Sequence, residues 1–151
     1  MGQITEILKT AQERAKQLGL PYEGALLPDE AFYLMSEAPA AKLVDVRSHA
    51  EWDLIGTIPG SVQIEWQSYP GWKPNLFFLT NLQQQIDPES LVMFICRSGG
   101  RSHQAASAAT QIGYVDCYNV LQGFEGDKDK ISNQRCTING WKAAGLPWIQ
   151  G

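Results

Sequence analysis

The chain has 151 residues, 44% hydrophobic and 19% charged, with a formal net charge of −4. Such a length suits one domain that folds around its own core without staples. The 12 Lys and Arg residues form no basic run, which excludes a nucleic-acid footprint, and no stretch reaches the roughly 20 apolar residues of a membrane-spanning helix.

Ile4, Ile7, Leu8, Ala11, Ala15 and Leu18 recur at helical spacing until Gly19 and Pro21 stop the run. The pattern predicts an amphipathic helix docked on the domain. Residues 1–26 are read as that helix and its connector, and residues 27–151 as the main domain. Pro28, Asp29 and Glu30 open a second helix, to about Ser36. "KLVDV" at 42–46 is a buried strand, and "SHAEWDLI" at 48–55 is a helix capped by Ser48. A strand follows at 62–64. Residues 65–75 form a loop rich in Pro, Gly and aromatics, in which Trp66, Tyr69 and Trp72 are expected to pack as a rigid lid. Residues 76–86 are helical. Residues 91–95 are a continuous apolar run of strand length, 102–112 an alanine-rich helix and 115–120 another strand. The remainder reads as loop, with a short helix near 141–144.

Strands alternating with helices imply an α/β domain: a mainly parallel sheet covered by helices on both faces. In such sheets ligands bind beyond the carboxyl ends of the strands. Cys96 follows the strand at 91–95, so the pattern places it at that end.

The three cysteines, Cys96, Cys117 and Cys136, are far apart and form no Cys-x-x-Cys pair. That argues against a disulfide framework or a zinc knuckle. The first residues lack the apolar core of a secretory leader, and a reducing, cytoplasmic setting is expected. Cys117 falls in a strand pattern and reads as a buried, inert thiol. Cys136 lies in the loop at 127–140 and is a candidate resolving thiol.

Cys96 has different surroundings. Arg97, Ser98, Gly99, Gly100, Arg101 and Ser102 follow it, and a helix is expected from Ser102. A helix N-terminus presents unpaired N–H groups and a partial positive charge. Gly99 and Gly100 let the backbone turn further amides inward as an anion-binding nest. With two arginines added, all three effects favour a thiolate at Cys96 and an anion held against it.

"LVDVRSHAEWDLIGTIPGSV", "CRSGGRS", "NVLQGFEGD" and "GWKAAGLPW", in that order, resemble a single-domain rhodanese. The resemblance runs from about Leu27 to Trp148. It implies a five-stranded, mainly parallel sheet with helices on both faces. It also implies a sulfurtransferase whose Cys96 takes a sulfane sulfur from a donor such as thiosulfate and passes it to cyanide or a thiol. Covalent transfer of this kind splits one difficult step into two easier ones. The resemblance implies no metal or organic cofactor. Expected partners are a small sulfur donor and a thiol or cyanide acceptor, with a protein thiol as another candidate acceptor. Residues 124–140 look longer than in the simplest members.

Two other classes stay open. One is a persulfide-carrying module with little turnover of its own. The other is a cysteine phosphatase or arsenate reductase, whose loops separate Cys from Arg by five residues. Here four residues separate Cys96 from Arg101, a ring better suited to one terminal sulfur than to a phosphoryl group.

Asp45 ends its strand at the sheet edge expected for Cys96, and a pairing with Arg101 would hold the loop; the resemblance implies that support as well. Arg47 and Glu51 stand four apart and are expected to pair at a helix start. Arg97, next to the nucleophile and without an evident local partner, is the candidate contact for the oxygens of the donor. His103 and His49 are weaker candidates, since a preformed thiolate needs no base. Their spacing with Cys96 matches no metal-ligand motif.

Overall fold

The computed structural model describes residues 2–150. The main sheet contains β1 (Gly24–Leu26), β2 (Lys42–Asp45), β3 (Val62–Gln63), β6 (Val92–Ile95) and β7 (Cys117–Val120) in the order β1-β7-β6-β2-β3, every pair parallel. The connecting helices are α1 (Gly2–Leu18), α2 (Pro28–Glu37), α3 (His49–Leu54), α4 (Phe78–Gln85) and α5 (Gly100–Gln111). A separate antiparallel pair, β4 (Gln67–Ser68) and β5 (Lys73–Pro74), gives the aromatic loop a framework that the sequence reading did not foresee.

Successive strand side chains point to opposite faces, and the core divides accordingly. On one face Val44, Phe94 and Cys117 pack with Phe78 and Leu82 of α4 and with Ala105, Ala106 and Ala109 of α5. On the other, Leu43, Met93, Ile95 and Tyr118 pack with Ile7 and Ala11 of α1 and Ala31 and Leu34 of α2. The sheet is therefore covered by helices on both faces. Residues 24–26, in the segment read as a connector, form an edge strand that runs parallel to β7, with Gly24 opposite Tyr118 and Leu26 opposite Val120.

Two local expectations are corrected. Helix α5 starts at Gly100, not Ser102, with Gly99 as its N-cap. Residues 141–145 form turns rather than a helix. Ala144 N–H reaches Gly140 O at 3.0 Å, but Gly145 takes a left-handed φ of 75° and the chain leaves toward Pro147. The fully buried Trp141 anchors this turn, its indole N–H donating to Pro147 O at 2.8 Å.

The register that matters most pairs Asp45 with Ile95. It brings the carboxyl end of β2 level with the end of β6, where Cys96 follows.

Candidate active site

Cys96 is buried, 1% exposed. The loop behind it folds back on the sulfur. Gly99 N–H donates to Sγ at 3.1 Å, and Ser102 Oγ lies 3.3 Å from Sγ. Gly99 manages this with a φ of 110°, a conformation that side-chain-bearing residues rarely adopt. The loop is braced from outside by the turn after β7. Phe124 N–H donates to Cys96 O at 2.8 Å, and Glu125 and Gly126 N–H donate to Arg97 O at 3.0 and 3.2 Å. Gly123 is needed for that approach, because a Cβ there would stand 2.6 Å from Cys96 O.

The Ser102 hydroxyl has one proton and three acceptors in reach: Asn119 Oδ1 at 2.6 Å, Gly99 O at 3.2 Å and Cys96 Sγ. Asn119 is nearest and takes it in the resting geometry; negative charge on the sulfur would compete for it. Asn119 also donates through Nδ2 to Tyr22 Oη at 3.2 Å, and Tyr22 Oη lies 2.8 Å from His103 Nδ1. A buried polar chain thus runs from Cys96 through Ser102, Asn119 and Tyr22 to His103. The sequence reading missed Asn119 and Tyr22. The available signal was one carboxamide inside the apolar strand "CYNV".

The charged residues pair differently from expectation. Arg101 does not meet Asp45. Its guanidinium grips Glu51 through Nη1–Oε1 and Nη2–Oε2 at 2.7 and 2.9 Å. Burial alone would raise the Glu51 carboxyl, but Arg101 and the Ser48 donors override it and hold it below its ordinary value. Burial likewise pulls Arg101 down, and Glu51 more than restores it, so Arg101 stays charged.

Arg47, expected to pair with Glu51, instead pairs with Asp45. Nη2 and Nε donate to its carboxylate at 2.7 and 3.0 Å, and both side chains are fully buried. The reason is local: the chain bends after β2, and Arg47 N–H donates to Asp45 Oδ1 at 3.1 Å, an Asx-type turn that brings the two side chains together. Arg47 also donates to Gly56 O at 2.8 Å and lies 4.0 Å over the Phe124 ring. Glu51 turns the other way, closing the capping box with Ser48 before reaching Arg101.

Arg97 is not unpaired: its Nε lies 3.3 Å from Glu125 Oε2, while its side chain remains 45% exposed. With Cys96, Ser98, Gly100 and Arg101 it lines a cavity of about 320 Å³, which Trp72, Gln67 and Arg135 complete. Trp72 is the member of the aromatic loop that closes on the site, meeting Tyr69 edge-on at 5.5 Å and Arg101 at 5.0 Å. Trp66 packs elsewhere, against Phe78, with its indole N–H on Gln104 Oε1. His49 sits by Glu65, and neither His49 nor His103 hydrogen bonds to Cys96. Burial pushes the Cys117 thiol up to about 11, and burial beside Glu125 raises Cys136.

A family model described as the rhodanese-like domain matches residues 29–130. The chain belongs to the rhodanese-like family. It is 37% identical over 122 residues to an uncharacterized protein of Rickettsia rickettsii, covering 79% of this chain and 91% of that one. The crystal structure of Rv0390 from M. tuberculosis is 41% identical, covers 86% of this chain and 99% of its own, and superposes with a TM-score of 0.78. The solution structure of the polysulfide-sulfur transferase homodimer from Wolinella succinogenes shares the fold at 20% identity, covering 99% of this chain and 89% of that one, with a TM-score of 0.58. Within this rhodanese-like chain, Cys96 through Ser102 lie inside the matched segment. Tyr22 and Arg135, which join the site from either side of it, lie outside.

Proposed function

We propose that this rhodanese-like protein is a sulfurtransferase that moves a sulfane sulfur from thiosulfate, or a similar anionic donor, through a persulfide on Cys96. The observation that carries this reading is the Gly99 N–H donated to Cys96 Sγ at 3.1 Å, with Ser102 Oγ 3.3 Å from the same sulfur, in an arginine-lined cavity. The Cys96 thiolate attacks the outer sulfur of thiosulfate. A Cys96–sulfur bond forms, the donor S–S bond breaks, and its electron pair leaves with sulfite. Cyanide or a thiolate then attacks the terminal sulfur, and the bonding pair returns to Cys96. No oxidant is consumed. The persulfide anion gains the Gly99 amide and the positive end of α5. Arg97 and Arg101 make the cavity favourable to the incoming anion.

Asp45 and Arg47 support this site from beneath rather than touching the substrate. Their buried pair fixes the turn between β2 and α3, and α3 carries Glu51 to Arg101. The acceptor in this reading is cyanide or a small thiol, and the compartment is the cytoplasm, where Cys96 stays reduced.

Intact-mass spectrometry after exposure to thiosulfate tests the proposal. Wild type is expected to gain one sulfur atom, removable by cyanide, and Cys96→Ser to gain none. A wild-type protein that takes up no sulfur from thiosulfate or from an alkyl persulfide would overturn it.

A further inference from the structure

Arg135 stands outside the segment matched by the family, in the stretch at 127–140, yet it lines the same cavity as Cys96, Arg97 and Arg101. Three guanidinium groups therefore border one small space in a chain of net charge −4. Two of them are matched by carboxylates, Arg97 by Glu125 and Arg101 by Glu51. Among the described residues no carboxylate pairs with Arg135. Its Nη1 donates to Gly126 O at 2.7 Å, while its Nε is buried and has no acceptor. A guanidinium carries five N–H donors, and with one of them on Gly126 O and no carboxylate beside it, Arg135 brings an unneutralised charge and further donors to the cavity it lines.

The segment holds Arg135 in a fixed place. Asn133 and Cys136, on either side, take left-handed backbone angles of 59° and 69°. Cys136 N–H donates to Glu125 O at 2.7 Å, and Asp129 N–H donates to Gln134 O at 2.7 Å. Asn139 accepts from Asp127 N–H at 2.8 Å, clasping the segment's two ends. The bond from Nη1 to Gly126 O also ties the side chain, and the planar fork of a guanidinium matches two oxygens of a sulfur oxyanion.

We propose that Arg135 is a specificity-determining residue of the Cys96 site, and that it selects donors whose leaving group carries sulfonyl oxygens. This rests on the sulfurtransferase reading and deepens it. Arg135 takes no part in the covalent step; it holds the oxygens that depart as sulfite while the outer sulfur moves to Cys96. A donor lacking those oxygens, such as an alkyl persulfide, transfers its terminal sulfur to Cys96 and leaves as a thiolate without using Arg135.

The test compares wild type, Arg135→Gln and Arg135→Lys in the full chain, after thermal melts to confirm folding. Cys96 loading is followed by intact mass against thiosulfate and against the persulfide of 2-mercaptoethanol. The ratio of the two loading efficiencies is expected to shift against thiosulfate by about tenfold to a hundredfold in Arg135→Gln, as for loss of one charge-assisted hydrogen bond. Arg135→Lys is expected to fall between, keeping charge without the fork. Sulfite binding to Cys96→Ser, measured by calorimetry, is expected to weaken by a similar factor when Arg135→Gln is added. An unchanged ratio, with wild type loading normally, would overturn the role of Arg135 and leave the sulfurtransferase reading standing. An equal loss with both donors would assign Arg135 a structural role and also overturn it. If wild type loads sulfur from neither donor, the sulfurtransferase reading falls and this inference with it.

Discussion

Arg101 and Glu51 join the first turn of α5 to α3 by two parallel hydrogen bonds of 2.7 and 2.9 Å. Arg101 is thereby committed to holding the loop. Because α5 starts at Gly100, its first turn adjoins Gly99, whose amide faces Cys96. Glu51→Gln is expected to lower the melting temperature and slow sulfur loading, because it leaves a half-buried guanidinium without its carboxylate. The effect has a defined pH dependence. The native Glu51 carboxyl titrates below its unfolded value of about 4.3, so the unfolded chain takes up the proton first. The stabilisation is full above that value and is lost as pH falls through the native pKa. Melting curves from pH 7 downward should show the gap between wild type and Glu51→Gln closing below about pH 4.3. A constant gap would mean that the pair does not supply the stability.

Asp45 and Arg47 are both fully buried, so neither tolerates loss of the other. Arg47→Ala is expected to destabilise the protein by about 3–5 kcal/mol, since it strands a buried carboxylate. Removal of the Phe124 contact adds to the loss. Urea unfolding measures it. A change below about 1 kcal/mol, the range of exposed pairs, would contradict the burial argument.

Cys96→Ser is expected to abolish sulfur transfer while leaving the melting temperature nearly unchanged. Cys117 offers no substitute: it is buried, and its thiol is pushed up to about 11. Iodoacetamide at pH 8 followed by peptide mapping should leave Cys117 unlabelled in the native protein and label it once urea unfolds the chain. Sulfur uptake by Cys96→Ser, mapped to Cys136, would move the nucleophile.

Hydrolysis of p-nitrophenyl phosphate is expected to be negligible. Four residues separate Cys96 from Arg101, and Arg101 is engaged with Glu51 rather than free to close over a phosphoryl group. Inserting one glycine between Gly99 and Gly100 should lower sulfur loading, because the Gly99 amide would no longer meet the sulfur. Paired thiosulfate–cyanide and phosphate assays on both proteins check this. Robust phosphate turnover by wild type, without sulfur uptake, would reverse the class assignment.

Much of the fold was legible in the chain order of apolar runs. Strands β2, β3, β6 and β7 and the helices between them follow from periodicity, and Ser48 was recognisable as the cap of α3. Strand β1 was not legible. Gly24, Ala25 and Leu26 have no β-branched residue and no alternation, and they become a strand only because β7 offers an edge.

The sequence by itself determined the make-up of the candidate site: an apolar strand ending on Cys96, followed by glycines and arginines that suit an anion. Those are local properties of consecutive residues. Which charges pair was decided by the tertiary structure, because pairing depends on side-chain direction. The turn after β2 brings Arg47 onto Asp45, while α3 carries Glu51 across to Arg101. The same holds for Asn119, Tyr22 and Arg135. They lie 23, 74 and 39 positions from Cys96, and only the packing of β7, the segment before β1 and the turn after Phe124 brings them to one site.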